Sequence, residues 1–408
     1  MTCRFCSEPL NKVFLDLINS PPSNSFLKEE QLSLPEVYYP LKLYVCNHCK
    51  LVQLDEYKKA FEIFNSDYAY FSSYSTSWLA HAKKYSENII QKLKLNNNSL
   101  VIELASNDGY LLQYFVEKNI PILGIEPSAN VAIEAEKKGV KTLVSYFNIE
   151  VANELVNKNK IQADLLIGNN VLAHVPDINN FVQGMKILLK KNGVVTMEFP
   201  HLYQLVLHNQ FDTVYHEHYS YLSFHTVSQI FEKQGLQIFD VEEIPTHGGS
   251  LRIYVGHFGE HPVTKNIHSL QEKEKKSGML EMDYYTDFQH KADKLKYELL
   301  QFLITQKQKN QLVLGYGAAA KGNTFLNYCG IKPDLLPSVI DASPYKQGRF
   351  LPGSHIPVHN ESLIKKLKPA FILILPWNIK DEIINQLAYI SEWDGKFVTA
   401  VPQLNILQ

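Results

Sequence analysis

The sequence has no apolar run that reaches about 18 residues, so we expect no membrane-spanning helix. It also has almost no net charge, since 40 lysines and arginines nearly balance 42 aspartates and glutamates. The excess of basic residues that marks a nucleic-acid-binding surface is therefore missing. There is no internal repeat, no low-complexity tract and no secretory-type apolar segment before the first cysteines. We expect a globular, cytoplasmic protein of two or three domains, without nucleic-acid or membrane partners.

Cysteines are few, five in 408 residues, and four of them lie within the first fifty. Cys3 and Cys6 form one Cys-x-x-Cys pair, and Cys46 and Cys49 form another. Each pair presents two thiolates to one metal ion, and two pairs complete a four-sulfur zinc site. Redox dithiols and disulfides are alternatives, but nothing in the chain points to an oxidising compartment. The spacing predicts a small zinc-binding module, within which a strand is expected over 38–43.

From about residue 100, short apolar strands alternate with helices. Strands are predicted over 99–104, 122–126, 141–145, 163–170, 193–199 and 250–255. Helices are predicted over 110–118, 131–138 and 181–189. This alternation is typical of parallel βαβ units in a doubly wound α/β sheet.

The first two strands of this sheet end on residues that suit an adenosine-containing cofactor. The turn after the first strand reads Glu-Leu-Ala-Ser-Asn-Asp-Gly over 103–109, and Glu126 ends the second strand, where a carboxylate accepts hydrogen bonds from ribose hydroxyls. A dinucleotide fingerprint needs three glycines, whereas Glu-x-Ala-x-x-x-Gly resembles the first motif of class I methyltransferases, with Ala105 in place of its usual first glycine. We therefore predict S-adenosylmethionine as the cofactor. The predicted cofactor-binding residues are Glu103, Ala105, Asn107, Gly109, Glu126 and Asn169.

Two histidine-bearing segments follow the fourth and fifth strands, at the edge where open α/β sheets bind ligands. One is Asn-Asn-Val-Leu-Ala-His over 169–174, and the other is Tyr-His-Glu-His-Tyr-Ser-Tyr over 215–221. A zinc site on His-x-His and a polar helix surface are alternative interpretations. So many titratable groups at this edge favour a catalytic cluster.

The last third of the chain begins with a charged segment over 268–308, which is predicted to form one long helix with an apolar stripe. A second α/β unit starts at residue 311. Its strand, glycine turn and helix over 312–322 would cradle a phosphate, with Lys321 neutralising the charge. Asp341 ends the next strand, which suits NAD, but the unit is only about half of a full dinucleotide fold.

Together these motifs resemble the nucleotide-sugar 3-C-methyltransferases of deoxysugar biosynthesis, over almost the whole chain. The resemblance implies a zinc-binding module over 1–70, a class I S-adenosylmethionine-dependent methyltransferase domain over 71–258, and a linker helix with a C-terminal Rossmann-like domain over 259–408. It implies that a base removes the acidic C3 hydrogen of a nucleoside-diphosphate 4-keto-6-deoxy sugar, and that the enolate takes the methyl group. The C-terminal domain would then help to hold the sugar nucleotide instead of a dinucleotide.

The histidine-rich segments supply a candidate for each role in such a reaction. His218 is the predicted base, because neutral imidazole titrates near working pH. Tyr215 would donate a hydrogen bond to the developing enolate oxygen. Glu217 would orient an imidazole or bind a sugar hydroxyl, and His174 would be a second contact or a competing base. The predicted substrate contacts are His216, Tyr221, Lys321 and Arg349.

Three other functions are consistent with parts of the sequence. One is O- or N-methylation of a sugar or another small metabolite, which needs no acidic carbon. Another is a non-catalytic protein that binds zinc and S-adenosylmethionine. A third is an NAD-dependent oxidoreductase built on the C-terminal unit. The aromatic segment over 67–78 would wall the ligand pocket or simply pack in the core, and a monomer or weak dimer is expected.

Overall fold

Three β-sheets organise the chain, which a computed structural model describes over residues 1–59 and 71–407. The strands are β1 (Lys12–Ser20), β2 (Tyr39–Val45), β3 (Val52–Leu54), β4 (Val101–Leu104), β5 (Ile122–Glu126), β6 (Thr142–Val144), β7 (Ala163–Asn169), β8 (Leu189–Pro200), β9 (Ser220–Tyr221), β10 (Leu236–Ile244), β11 (Ser250–His257), β12 (Val313–Tyr316), β13 (Val339–Ile340), β14 (Val358–His359), β15 (Phe371–Ile374), β16 (Lys396–Thr399) and β17 (Asn405–Leu407). The helices are α1 (Thr76–Leu93), α2 (Gln113–Val116), α3 (Ala129–Lys137), α4 (Ile149–Asn157), α5 (Ile178–Leu188), α6 (Leu202–Leu207), α7 (Phe224–Lys233), α8 (Lys265–Lys276), α9 (Phe288–Gln308), α10 (Ala320–Cys329), α11 (Ser362–Leu367) and α12 (Lys380–Gln386). Within these described ranges no helix is both long and apolar enough to cross a membrane.

The N-terminal sheet runs in the order β1-β2-β3-β9 and is antiparallel throughout. The Cys46–Cys49 turn is the hairpin between β2 and β3, and β2 contains most of the predicted 38–43 strand. Each Cys-x-x-Cys turn is followed by a residue of positive φ, Ser7 at 66° and Lys50 at 61°. The fourth strand, β9, comes from far along the chain, in the predicted catalytic segment.

The central sheet has the order β10-β11-β8-β7-β4-β5-β6, with β11 antiparallel to both of its neighbours. The order reverses between β4 and β7, which is where doubly wound sheets open a ligand crevice. The strand predictions agree with the structure to within a few residues, apart from an earlier start to β8. The helix predicted over 110–118 is wrong in extent, because residues 110–112 form turns that bury Leu111 and Leu112, and only α2 is helical.

The C-terminal sheet has the order β14-β13-β12-β15-β16-β17, parallel except for β17. The predicted fold class, α/β with a small cysteine-containing N-terminal module and two Rossmann-like units, is confirmed. The domain boundaries stay a prediction, and the one at residue 70 lies outside the described residues.

The prediction of a single long helix over 268–308 is wrong, because the helical structure is interrupted between α8 and α9. Gly278 has a φ of 89° in this break, and Met279 and Tyr285 turn inward to fill a core. The predicted apolar stripe does form on α9, since its five residues are all buried: Phe288, Ala292, Leu295, Leu299 and Leu303.

The N-terminal module shares a core with α9 and the C-terminal sheet. Phe14 of β1 stacks on Phe288, with ring centroids 4.9 Å apart and planes 4° from parallel. Both rings are buried, and burial of a phenylalanine side chain is worth about 1.5–3 kcal/mol. The module is therefore packed into the body of the protein and is not a tethered appendage.

Candidate active site and metal centre

The four N-terminal cysteines lie within one ligand sphere, with every Sγ atom within 4.8 Å of the others. Cys3 Sγ is 3.6 Å from Cys49 Sγ, and Cys6 Sγ is 3.5 Å from Cys46 Sγ. Tetrahedral zinc with Zn–S bonds of about 2.3 Å requires sulfurs about 3.8 Å apart. The donor set therefore fits one zinc ion, as the sequence predicts.

Gln53 ties this cysteine site to its surroundings. The side chain is fully buried, and its Nε2 atom donates to Cys3 Sγ at 3.2 Å while its Oε1 atom accepts from the Arg4 backbone N–H at 2.9 Å. Gln53 lies in β3 directly opposite Ser220 of β9. Donors to the sulfurs of a metal site orient the ligands, so one residue touches both the cysteine site and the strand that follows His218.

The loop after β4 has the strained backbone that a tight cofactor turn requires. Ala105, Asn107 and Gly109 have positive φ values of 54°, 50° and 74°. A Cβ on Gly109 would lie 2.9 Å from Val140 Cγ2, so this glycine allows close packing against the following helix–strand unit. Ala105, in contrast, holds a conformation that costs an alanine roughly 1–2 kcal/mol.

Glu126 braces this loop at the end of β5. Its Oε2 atom accepts the Asn107 backbone N–H at 3.0 Å, and its Oε1 atom accepts the Ser128 backbone N–H at 2.9 Å. The carboxyl is 4 % exposed, and burial raises its pKa. A carboxylate has about four acceptor positions, so acceptor capacity remains for the ribose hydroxyls that the sequence predicts here.

Two further predicted cofactor residues flank the crevice. Asn169 ends β7, is 9 % exposed, and neither its Oδ1 nor its Nδ2 atom has a hydrogen-bond partner among the described residues. Buried amides are normally hydrogen-bonded, so this side chain is suited to hydrogen-bond a cofactor. Glu103 lies beneath the loop with no exposure, where burial raises its pKa well above the usual range and the neighbouring Tyr110 side chain opposes that effect.

Replacing Glu126 by alanine is expected to weaken S-adenosylmethionine binding by about 1.5–3 kcal/mol, because charge-assisted hydrogen bonds are lost. Calorimetric titration of the purified protein measures this directly. Glu134→Ala is the matched control, since Glu134 pairs with Lys137 on the exposed surface of α3. Unchanged affinity in Glu126→Ala would remove this residue from the ribose site, and tight NAD binding instead would contradict the cofactor assignment.

His174 and His218 come together at the same sheet edge. Their rings are 4.6 Å apart in an edge-to-face arrangement. Nδ1 of His174 is 2.8 Å from the Glu217 carbonyl oxygen, and Nδ1 of His218 is 3.1 Å from the Thr213 carbonyl oxygen. A carbonyl only accepts, so each Nδ1 carries the proton and each Nε2 keeps its lone pair.

Burial keeps both imidazoles neutral. It lowers the pKa of His174 to about 4, and burial together with the neighbouring His174 lowers the pKa of His218 well below its usual range. The charge of Lys321 also lowers the pKa of His218, but by less. The site therefore presents two uncharged imidazoles, each with an unprotonated Nε2, at neutral pH.

The rest of the 215–221 segment divides between this cluster and the N-terminal module. The Tyr215 ring is 4.1 Å from the His218 ring, and the Tyr221 hydroxyl accepts the Tyr215 backbone N–H at 3.3 Å. His216 turns away, and its Nε2 atom lies 3.2 Å from the Pro40 carbonyl oxygen. Tyr215, His218 and Tyr221 thus share one side, while the structure does not bring His216 to them.

A cluster of aromatic rings lines the other side of the crevice. The sequence indicated this cluster only weakly. Trp78, in the first turn of α1, has its ring 5.1 Å from the His247 ring and 5.9 Å from the Tyr110 ring. The Asn170 amide donates to His247 Nε2 at 2.9 Å. In the segment predicted over 67–78, Ser72 N–H also donates to Asn107 Oδ1, at 2.8 Å. The described part of that segment therefore lies on the cofactor loop, and residues 67–70 lie outside the described residues.

The C-terminal domain reaches this crevice through Trp377 and Lys321. Trp377 Nε1 donates to the buried Asp212 Oδ2 at 2.7 Å, and burial raises the pKa of Asp212 to about 6. Lys321 Nζ donates to Asn378 Oδ1 at 2.7 Å and lies 4.7 Å above the Trp377 ring. Lys321 therefore lies at the boundary with the domain of the central sheet.

The glycine turn after β12 is filled by the protein itself. A Cβ on Gly317 would lie 2.4 Å from Pro376, and the Asp341 carboxylate accepts the Ala318 backbone N–H at 2.7 Å. Arg349 lies on the loop between β13 and β14, where its backbone N–H donates to the Lys346 carbonyl at 3.1 Å and its carbonyl accepts from the Val358 N–H at 2.8 Å.

Comparisons with known proteins match the three parts of the chain separately. Residues 3–64 match a domain described as "Putative zinc binding domain", residues 78–241 a "Methyltransferase domain", and residues 245–402 a "C-methyltransferase C-terminal domain". C-methyltransferase NovU from Streptomyces niveus is 29% identical over 409 residues, which covers 99% of this chain and 96% of that protein.

Two other similarities cover less than half of this chain. A ubiquinone biosynthesis O-methyltransferase from Pelagibacter ubique is 27% identical over 115 residues, 27% of this chain and 48% of that protein. A solved S-adenosylmethionine-dependent methyltransferase from Clostridium acetobutylicum is 14% identical, covers 43% of this chain and 91% of its own, and has a TM-score of 0.35.

Proposed function

We propose that this chain, an S-adenosylmethionine-dependent C-methyltransferase with a zinc-binding N-terminal domain, methylates C3 of a nucleoside-diphosphate 4-keto-6-deoxy sugar. The observation that carries the proposal is the pair of neutral imidazoles, His174 and His218, 4.6 Å apart beside the cofactor crevice. Transfer to carbon needs a base for a carbon-bound hydrogen, and neutral histidine is the usual one. The choice of sugar substrate rests on the motif resemblance described above.

The reaction begins with proton removal. The C3–H bond next to the C4 ketone breaks, the proton goes to Nε2 of His218, and the electron pair forms an enolate. Tyr215, whose ring lies 4.1 Å from that imidazole, donates a hydrogen bond to the enolate oxygen. S-adenosylmethionine, when bound, would supply an electrophilic methyl group. As the enolate carbon forms its bond to that methyl and the ketone is restored, the S–CH3 bond would break and its electron pair would stay on the sulfur of S-adenosylhomocysteine.

Burial has a physical consequence for the proton transfer. A buried imidazole resists protonation, which is why the pKa of His218 is lowered. During the reaction the imidazolium forms beside an enolate anion, so an ion pair replaces an isolated buried charge. Thr213 and its carbonyl oxygen, 3.1 Å from Nδ1, stabilise the imidazolium on its other side.

Product analysis tests the proposal. The enzyme is incubated with S-adenosylmethionine and nucleoside-diphosphate 4-keto-6-deoxy sugars that differ in nucleotide, and the product is analysed by NMR. We expect a new carbon–carbon bond at C3, and exchange of the C3 hydrogen with solvent deuterium. A methyl group on oxygen or nitrogen would overturn the proposal, and so would methyl transfer only to substrates that lack a ketone.

A further inference from the structure

Asn24, a residue of the N-terminal module, contacts the catalytic segment of the methyltransferase domain. Its Nδ2 atom donates to Glu217 Oε1 at 2.7 Å. Asn24 is itself exposed, whereas Glu217 is 6 % exposed. The amide therefore reaches a buried carboxylate from the open side, where a substrate would enter.

The loop that carries Asn24 is held by its neighbours. Ser23 is buried, and its Oγ atom lies 3.2 Å from Thr324 Oγ1 of α10. Thr324 in turn donates to the Val214 carbonyl oxygen at 2.8 Å. The C-terminal domain thus bridges the loop and the catalytic segment, which fixes the position of Asn24 relative to Glu217.

Several charged or titratable groups surround Glu217. Lys58 of the N-terminal module lowers its pKa, Tyr219 is an electrostatic neighbour, and His174 donates to its backbone carbonyl. His216 and His218 adjoin it in sequence. Burial raises the pKa of Glu217, and the Asn24 amide opposes that effect as the second-largest influence.

We propose that Asn24 is a positioning residue for Glu217: its amide engages Oε1 and leaves Oε2 to accept a hydrogen bond from a hydroxyl of the bound sugar. The proposal rests on the proposed function, since it requires a hydroxyl-bearing small substrate. An amide suits this role because it donates to a carboxylate without adding a charge beside the two imidazoles. The N-terminal module would then contribute directly to substrate recognition.

The proposal has a consequence for pH dependence. A donor to the ionised form lowers a carboxyl pKa, so Asn24→Ala raises the pKa of Glu217. If ionised Glu217 binds the sugar hydroxyl, the acidic limb of the kcat/KM profile moves to higher pH in Asn24→Ala. Loss of packing alone would lower the profile without moving that limb.

A double-mutant cycle tests the coupling. Asn24→Ala, Glu217→Ala and the double variant are compared in kcat/KM for whichever methyl transfer the wild-type enzyme catalyses. We expect Asn24→Ala to lower kcat/KM by about 5- to 30-fold in the wild-type background and by less than about twofold once Glu217 is replaced. Ser25→Ala, the exposed neighbour, is the control and should match the wild type.

Additive losses in the cycle, or an unmoved acidic limb, would overturn the proposal, and so would a parallel loss of S-adenosylmethionine affinity or zinc content in Asn24→Ala. The pH profile needs only the Asn24→Ala variant, so it decides the matter even where Glu217→Ala does not fold. Identification of the wild-type product is a separate measurement, so a failure of the proposed function is distinguishable from a failure of this one.

Discussion

A His218→Ala enzyme is expected to lose methyl transfer by about 10²–10⁴-fold, the usual contribution of a general base. It should also lose exchange of the C3 hydrogen with solvent deuterium, because both processes begin with removal of that proton. The neighbouring His174 has the same arrangement, with an unprotonated Nε2 and its Nδ1 held by the Glu217 carbonyl, so it is the alternative base. Turnover and exchange are measured by mass spectrometry in deuterated buffer.

Controls separate chemistry from folding. S-adenosylmethionine affinity should be unchanged in His218→Ala, because Glu126 and Asn169 are untouched. Tyr215→Phe should slow turnover by less, since it removes one hydrogen bond. His208→Ala, at an exposed histidine, should match the wild type. Near-normal turnover in His218→Ala would move the base to His174.

The pH dependence of the wild-type enzyme should also show whether His218 is the base. Because the pKa of His218 is lowered, the base stays unprotonated down to a lower pH than free imidazole does. The acidic limb that belongs to this histidine should therefore lie below about pH 6.5, the ordinary histidine value.

Loss of zinc is the second change expected to have a large effect. Cys46→Ser removes one of four sulfurs that lie within 4.8 Å of each other, and structural zinc sites contribute on the order of 10 kcal/mol to folding. We expect one zinc per chain in the wild type and less than about half an equivalent in the variant. Metal analysis and thermal unfolding give both quantities.

The damage should extend to the catalytic segment. β3 begins three residues after Cys49 and pairs with β9 at Val52–Tyr221 and Gln53–Ser220, so a loosened module releases the strand that follows His218. Hydrogen exchange should accelerate at residues 219–222, and methyl transfer should fall with it. Cys329→Ser is the control, because Cys329 is buried on α10, outside the cysteine cluster. Full activity in zinc-free protein would contradict this coupling.

Features encoded by local spacing were predicted well from the sequence. The two Cys-x-x-Cys pairs each form a short turn with one residue of positive φ after it, so only their meeting depended on the fold. Glu126 ends a strand at the predicted residue, because a buried apolar run stops where the first carboxylate reaches the sheet edge. Each of these patterns spans only a few neighbouring residues of the sequence.

The arrangement of the catalytic segment was less predictable. His216 and His218 are two residues apart, yet one bonds Pro40 and the other faces Tyr215. That direction is set by β9 joining the N-terminal sheet, a pairing between residues more than a hundred positions apart that no local pattern encodes. Asn24 and Trp377 could not be predicted for the same reason, since each donates a hydrogen bond to a residue of another domain.

The break between α8 and α9 shows a different limit. The charged composition over 268–308 favours helix throughout, and helix propensity alone gives one continuous element. Burial of Met279 and Tyr285 outweighs that propensity. Glu274, near the end of α8, accepts the backbone N–H groups of Phe224 and His225 at 2.7 and 2.8 Å, which anchors the helix before the break.

The pairing of β3 with β9 also dictates an order of events on the ribosome. β3 is complete at residue 54, but its partner at residues 220–221 is synthesised only about 10–30 s later at usual translation rates. Until then the nascent N-terminal sheet has an unpaired edge, which is the part of a sheet most prone to join other chains. A fragment that stops before residue 221 would keep that edge open permanently. A truncation or domain exchange that keeps the cysteine-bearing module paired must therefore include the 215–221 segment.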